Sequence, residues 1–454
     1  MNNIFIKLKT KLGSLNKQSV DVMINVFCVF LIQGGSMLMA LFTMPSYMRY
    51  FNNELILGCW FTLLSIINWV LTFDLGIGNG LRNQLTVALA TGDNEEAKKL
   101  ISSSYVAITF FISFLAVLLW FYLPYVNLNS LFNISTEVIN HATLLVSVGI
   151  IFIGISLRFI FQLISSVLYA LQKSALVNFL TFITNLFILC YILIAPSRDI
   201  ATNLITLSLV HVLAADLPLL IVTIVIFSKK LKECKPNIKY YSNKYAKKIL
   251  SIGVAFFVLQ IAYMFVGALN EFLISYMTTP INVTEYQAYY KLFSTISSVF
   301  LLALTPLWSS VTKAQAQNNF TWVIKTYRLF ATLAIFISLL QLLFLPMLQF
   351  VFNIWLGKDI INVSYKIAFI FAISNCVLIW HNFNSTMANG LGYLKPQFIF
   401  LTLAAVLKIP VSFILVKLTG DWSMIVLSTA IVLIPLTIAQ PIMLTRYLKN
   451  KKVK

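Results

Sequence analysis

An arginine in the middle of a long apolar run is the first residue of this chain that demands a chemical role. Ser147, Gly154, Arg158, Gln162, Ser165, Tyr169 and Gln172 recur at steps of seven, four, four, three, four and three, which lays them along one face of an α-helix. A guanidinium at mid-span is expensive in hydrocarbon and faces either a cavity or a partner. Its planar fork suits a phosphate, and the amides and hydroxyls beside it suit sugar or other hydroxyl groups. The competing role is structural, because Asp216 stands near the middle of a later apolar segment and is available as an ion-pair partner. The sequence leaves both roles open.

Milder polar stripes occur elsewhere. Asn25, Gln33, Ser36 and Thr43 share one face of an early segment, Gln260, Tyr263, Gly267, Asn270 and Glu271 another, and Asn375, Asn382, Ser385 and Asn389 a third. Such side chains line transport cavities, and equally hydrogen-bond neighbouring helices. Glu271 and Lys291 fall at similar depths on consecutive segments and are expected to pair. Lys408 has no acid on its own segment, which favours a cation facing a lumen. Asp74 could bind a coupling ion, pair with Arg82 or cap a helix.

The elements that position these residues follow from composition. The chain has 454 residues, 59% hydrophobic and 10% charged, with a mean hydropathy of +0.88, far from any water-soluble domain. Stretches of about 20 apolar residues, each long enough to cross a hydrocarbon core, centre near residues 31, 66, 114, 156, 185, 215, 264, 297, 340, 376, 407 and 434. The expectation is an all-α polytopic membrane protein with twelve transmembrane helices. The basic residues orient it. Lys7, Lys9, Lys11 and Lys17, Arg82, the eight lysines of SKKLKECKPNIKYYSNKYAKK and the lysines after Arg446 belong to a set of 25 of the 33 on one side. Arg49, Arg198, Lys358 and Lys417 lie on the other, and Arg158, Lys291, Lys366 and Lys408 within spans. The positive-inside rule then makes both termini cytoplasmic. The net charge of +19 reflects this topology and not nucleic-acid binding. The first span lacks a small-residue cleavage site and reads as an uncleaved helix. Cys28, Cys59, Cys190, Cys234 and Cys376 show no metal or redox spacing.

The chain also divides. Residues 229–248 form a basic cytoplasmic linker between an N-terminal six-helix lobe, 1–228, and a C-terminal one, 249–454. Thr86, Ala88 and Ala90 recur as Thr312, Ala314 and Ala316, with Lys99 matching Lys325, and Gln33 has a counterpart in Gln260. With six spans per half the repeat is parallel, its pseudo-two-fold axis along the membrane normal, and substrate sites are expected between the lobes.

Gly76, Gly78 and Gly80 in FDLGIGNGLRNQ resemble a phosphate-cradling loop, but the βαβ context that such a loop requires is missing. Glycine here ends a helix where the second span leaves the bilayer, and Asn83 or Thr91 is expected to restart one along the surface.

Residues 73–93, FDLGIGNGLRNQLTVALATGD, resemble the connection between the second and third helices of bacterial O-antigen flippases of the Wzx type, within the multidrug/oligosaccharidyl-lipid/polysaccharide exporter superfamily. NGLGYLKPQ at 389–397 looks like the family's connection after the tenth helix. The resemblance implies a two-lobed bundle in the bacterial inner membrane. It would move an undecaprenyl-diphosphate-linked oligosaccharide from the cytoplasmic to the periplasmic leaflet by alternating access through a cationic cavity between the lobes. The partners implied are that lipid-linked glycan, membrane lipid and other polysaccharide-assembly membrane proteins. No cofactor is implied beyond coupling to a proton or sodium gradient.

On this reading Arg158, Gln162, Lys408, Lys291, Gln33, Gln260 and Asn382 are the candidates for cargo contact, and Asp74, Asp216 and Glu271 for ion coupling. A multidrug exporter of the same superfamily is the first alternative. The scarcity of intramembrane acids beside Arg158, Lys291, Lys366 and Lys408 favours an anionic cargo instead. An integral-membrane glycosyltransferase or polymerase is the alternative from another class. The short outer connections, with one acid and no basic residue in YLPYVNLNSLFNISTEVIN, and the lack of H-E-x-x-H, G-x-S-x-G or Walker sequences argue against catalysis.

Overall fold

The computed structural model describes residues 17–53, 56–57, 59–60, 63–64, 76–132, 135–196, 198–278, 280–355 and 361–453. Among the described residues all regular structure is helical, and ten helices are long and apolar enough to cross a membrane. The first expected span lies within a further helix, Lys17–Phe51. The second, centred near residue 66, falls mostly outside the described residues, and Asp74 with it.

Two compact units divide the chain, Met1–Val254 and Ala255–Lys454. The first contains α1 (Lys17–Phe51), α2 (Ile77–Thr91), α3 (Asn94–Tyr122), α4 (His141–Phe161), α5 (Leu163–Ala170), α6 (Ser174–Ile194) and α7 (Ile200–Val225). It also takes the start of α8 (Asn243–Gly267). The second contains the rest of α8, then α9 (Asn270–Met277), α10 (Pro280–Ala316), α11 (Phe320–Leu343), α12 (Leu348–Trp355), α13 (Tyr365–Gly390), α14 (Lys395–Thr419) and α15 (Ser423–Val453).

Local chemistry sets several helix starts. Asp93, Asn140, Asp199 and Asn319 each accept a hydrogen bond from the backbone N–H three residues on, at 2.8, 2.8, 2.9 and 3.2 Å. Each satisfies one orphan donor, worth about 1 kcal/mol. Phe110 and Phe121 on α3 are 77% and 72% exposed. A continuous apolar belt of this kind would be an aggregation liability in water, and on a spanning helix it is the lipid-facing surface.

The glycines of FDLGIGNG serve close packing. Gly76 caps α2 with φ +68, and this helix begins at Ile77, earlier than the expected Asn83 or Thr91. A Cβ on Gly76 would stand 1.8 Å from the Gly253 carbonyl oxygen, and one on Gly80 2.6 Å from that of Ile249. Both positions must therefore be glycine for α2 to lie against the start of α8.

The basic segment 229–248 is itself anchored. Its turns Lys232–Cys234 and Ile238–Tyr240 lie on α3. Asn237 N–H donates to Ser102 Oγ (3.2 Å), Ser242 N–H donates to Ser103 Oγ (3.1 Å), and Lys248 meets Glu96 at 2.8 Å.

Candidate functional site

The polar face of the fourth span divides at Gln162, where α4 ends and α5 begins. Above the break it packs on α7. Ser147 is fully buried, and a Cβ on Gly154 would stand 2.3 Å from Val212, so this glycine serves contact and not a lumen. Arg158 follows on the same face. Its guanidinium donates to the Ala215 carbonyl and lies 4.0 Å from the Asp216 carboxylate, with the two side chains 19% and 9% exposed. Neither Asp216 oxygen accepts a hydrogen bond among the described residues. The sequence offered this pairing as one of two roles for Arg158, and the structure brings the two residues together.

Below the break the face turns to a small cavity of about 80 Å³. Gln162, Ser165, Ser166 and Tyr169 line it from the fourth span, and Gly78 and Asn79 from α2, with Ile108, Phe159 and Leu163 as its apolar walls. That volume holds a few water-sized groups, enough for one polar substituent and far too little for a saccharide. Gln172, the last residue of the stripe, has φ +63 just beyond the end of α5.

Arg82, absent from the candidates for cargo contact, lies beside this cavity. Counted in the sequence among the basic residues of the cytoplasmic side, it is only 4% exposed, with its guanidinium 4.4 Å above the Tyr169 ring centroid. Stacking and burial tie α2 to α5 beside the cavity, a cation–π contact worth more when desolvated. The available signal was spacing. Arg82 lies one turn beyond Gly78 and Asn79, on the face of a short helix that the glycines press inward.

In the second unit the expected lumenal cation, Lys408, is instead fully buried. Its ammonium donates to the Ile425 carbonyl (2.7 Å), Ser428 Oγ (2.8 Å) and Thr429 Oγ1 (2.7 Å), all on α15. Three donors meet three neutral acceptors, so the group is satisfied within the protein. The expected Glu271–Lys291 pair does not form. Glu271 accepts a hydrogen bond from Gln287, while Lys291 is exposed and has no ion pair among the described residues. Lys366, counted within a span, is exposed near the start of α13 and meets Asp421 at 2.8 Å.

The Tyr263 ring stacks on His381, next to Asn382 on α13, with centroids 5.9 Å apart. Asn375 is held by Gln341, Ser297 and the Phe293 carbonyl, which makes it packing structure. Gln33 and Gln260 are half-buried, each in a different unit. Among the described residues no group of three or more His, Cys, Asp or Glu is placed to hold a metal ion.

No protein-family model and no curated protein matches this chain. Solved structures do. A MATE transporter in the bent conformation aligns with TM-score 0.77 and 13% identity, covering 97% of this chain and 98% of that one. An outward-facing multidrug resistance MATE family transporter of the MOP superfamily aligns at 0.72 and 12%, with the same coverage. A MOP superfamily transporter from Pyrococcus furiosus aligns at 0.71 and 13%, covering 96% and 97%.

The chain has the fold of the MOP superfamily transporters. It is an α-helical, multi-pass membrane protein with ten helices among the described residues long and apolar enough to span a bilayer, and its structural neighbours are transporters, not enzymes. At this identity the likeness carries the fold and leaves the cargo to the residues.

Proposed function

We propose that this protein is a flippase of the bacterial inner membrane, with both termini cytoplasmic. It translocates a polyprenyl-diphosphate-linked oligosaccharide from the cytoplasmic to the periplasmic leaflet by alternating access. The observation that carries this reading is the polar character of the first unit, where an amide, hydroxyls and the Tyr169 ring line a small cavity, sized for one polar substituent of such a cargo and not for a whole sugar, beside the buried Arg82. Amides, hydroxyls and aromatic faces are the partners of sugar hydroxyls and rings, and guanidinium is the partner of phosphate. The one buried acid of that unit among the described residues, Asp216, already has Arg158 beside it. The Pyrococcus furiosus neighbour is described as having a binding pocket of reversed polarity that suggests a different function. The same idea suits a chain with this cationic bias.

Export of cationic drugs is the second reading, favoured by the multidrug resistance neighbour. Complementation separates the two. The gene should restore surface polysaccharide in a strain lacking its flippase and leave drug resistance of an exporter-deficient strain unchanged. Drug resistance without surface polysaccharide would reverse the assignment.

A further inference from the structure

Arg49 and Arg198 are two of the few basic residues that break the charge bias between the two sides of the membrane, and they flank the same end of α6. Arg49 donates to the Leu193 carbonyl at 2.6 Å. Arg198 lines an adjoining cavity of about 440 Å³ with Tyr50, Tyr191 and Thr206.

The cavity is built, not incidental. The Tyr50 hydroxyl lies 3.3 Å from that of Tyr191 and 3.1 Å from Thr206 Oγ1, and donates to the Asn203 carbonyl at 3.2 Å. Asn203, 1% exposed, donates through its amide to the carbonyls of Tyr50 and Arg198 and accepts from the Arg198 N–H at 3.1 Å. The backbone that carries Arg198 is thereby clamped to α1 and α7. Neither arginine has a carboxylate partner among the described residues. The adjacent Asp199 carboxylate accepts the Thr202 N–H at the start of α7. The remaining wall is apolar, with Phe187 58% and Ile194 82% exposed.

An exposed pair of guanidinium groups, a hydroxyl cluster and an apolar flank, all at the end of a spanning helix, match a ligand that is both anionic and lipophilic. We propose that Arg49, Arg198 and the hydroxyls of Tyr50, Tyr191 and Thr206 hold the phosphate of a membrane lipid head group, on the side that the charge bias assigns to the cell exterior. The site depends on no assignment of cargo. Its phosphate can come from a bilayer phospholipid or from a polyprenyl phosphate.

Native mass spectrometry of the full-length protein tests this with phosphatidylglycerol, a polyprenyl phosphate and diacylglycerol as probes. A phosphate-bearing probe should bind the wild type, and Arg49→Gln with Arg198→Gln should weaken it about tenfold or more, the loss of one charge-assisted contact or better. Binding of phosphatidylglycerol alone identifies the bilayer as source, and binding of the polyprenyl phosphate alone identifies a lipid-linked molecule. Arg198→Gln by itself guards against a folding artefact, because that guanidinium makes no hydrogen bond among the described residues; it should weaken binding with the unfolding midpoint unchanged. Diacylglycerol binding as tightly as the phosphate lipids, or both variants binding like the wild type, would overturn the site. Since no transport is measured, the result stands apart from the complementation test.

Discussion

The Arg158 guanidinium and the Asp216 carboxylate lie 4.0 Å apart between α4 and α7, each largely withdrawn from water, and no other carboxylate pairs with Arg158 among the described residues. Removing one charge strands the other. Arg158→Ala and Asp216→Ala should each destabilise the protein by about 3–5 kcal/mol, and the double variant should recover most of that loss. Unfolding midpoints and membrane abundance measure both. A double variant as unstable as the singles would deny the coupling, and one that is stable but inactive in transport would assign the pair a role beyond packing.

Gly76 faces the Gly253 carbonyl too closely for any side chain and has φ +68. Gly76→Ala should therefore lower abundance and transport together. The comparison is Gly92→Ala, at φ +76 with nothing within 4 Å of its would-be Cβ. Gly92→Ala incurs only backbone strain, of order 1–3 kcal/mol. If Gly76→Ala lost transport at normal abundance, a moving connection and not a fixed contact would be indicated.

Much of this was legible beforehand. Apolar runs located the ten spans found among the described residues, because a bilayer imposes length and polarity on the chain directly, while the sides rest on the charge asymmetry alone. The ends of polar stripes were harder. Gly154 and Gln162 share a helical face, yet the break at Gln162 sends one against Val212 and the other into a cavity. Lys408 read as lumenal because no acid lay nearby in sequence. Its acceptors are two hydroxyls and a carbonyl on a neighbouring helix, which no charge count detects. The burial of Arg82 could not be read from charge placement, because α2 lies against α8, far along the chain, through its glycines.

Acid should weaken the connection between α14 and α15. Partial burial raises the Asp421 carboxyl, but hydrogen bonds from Lys366 (2.8 Å) and from the Ser423 hydroxyl and N–H (2.7 and 2.9 Å) outweigh it and hold the group below its ordinary value. A folded value below the unfolded one stabilises the fold above the unfolded carboxylate value of about 3.9, and that stabilisation is lost as pH falls through the folded value. Lys366→Met should narrow this dependence. The difference in unfolding midpoint between wild type and variant should be largest near neutrality and vanish at strongly acidic pH. A constant difference would show that Asp421 does not titrate with the fold.

Arg82 stacks on Tyr169 beside the cavity, so ring and charge can be varied separately. Tyr169→Phe keeps the stack and should leave stability near wild type, whereas Tyr169→Leu should cost about 0.5–2 kcal/mol. If the Tyr169 hydroxyl meets cargo, Tyr169→Phe should lower transport at unchanged abundance. Equal transport would confine Tyr169 to holding α2 against α5.

Lys408 offers the sharpest contrast between a structural and a working charge. Its three acceptors do not depend on it alone. Ser428 Oγ lies 2.7 Å from Ser412 Oγ and donates to the Ile425 carbonyl at 2.7 Å, while Thr429 Oγ1 lies 3.3 Å from Asn270 Oδ1. Lys408→Met preserves most of the side-chain volume and removes a charge whose burial is costly, so it should fold at least as well as the wild type. Lys408→Ala leaves a cavity and should lose about 2–5 kcal/mol, as other large-to-small core changes do. Transport then decides the role. Lys408→Met that is stable and active makes the ammonium a packing element, whereas Lys408→Met that is stable and inactive means that its charge or its proton is used during the transport cycle.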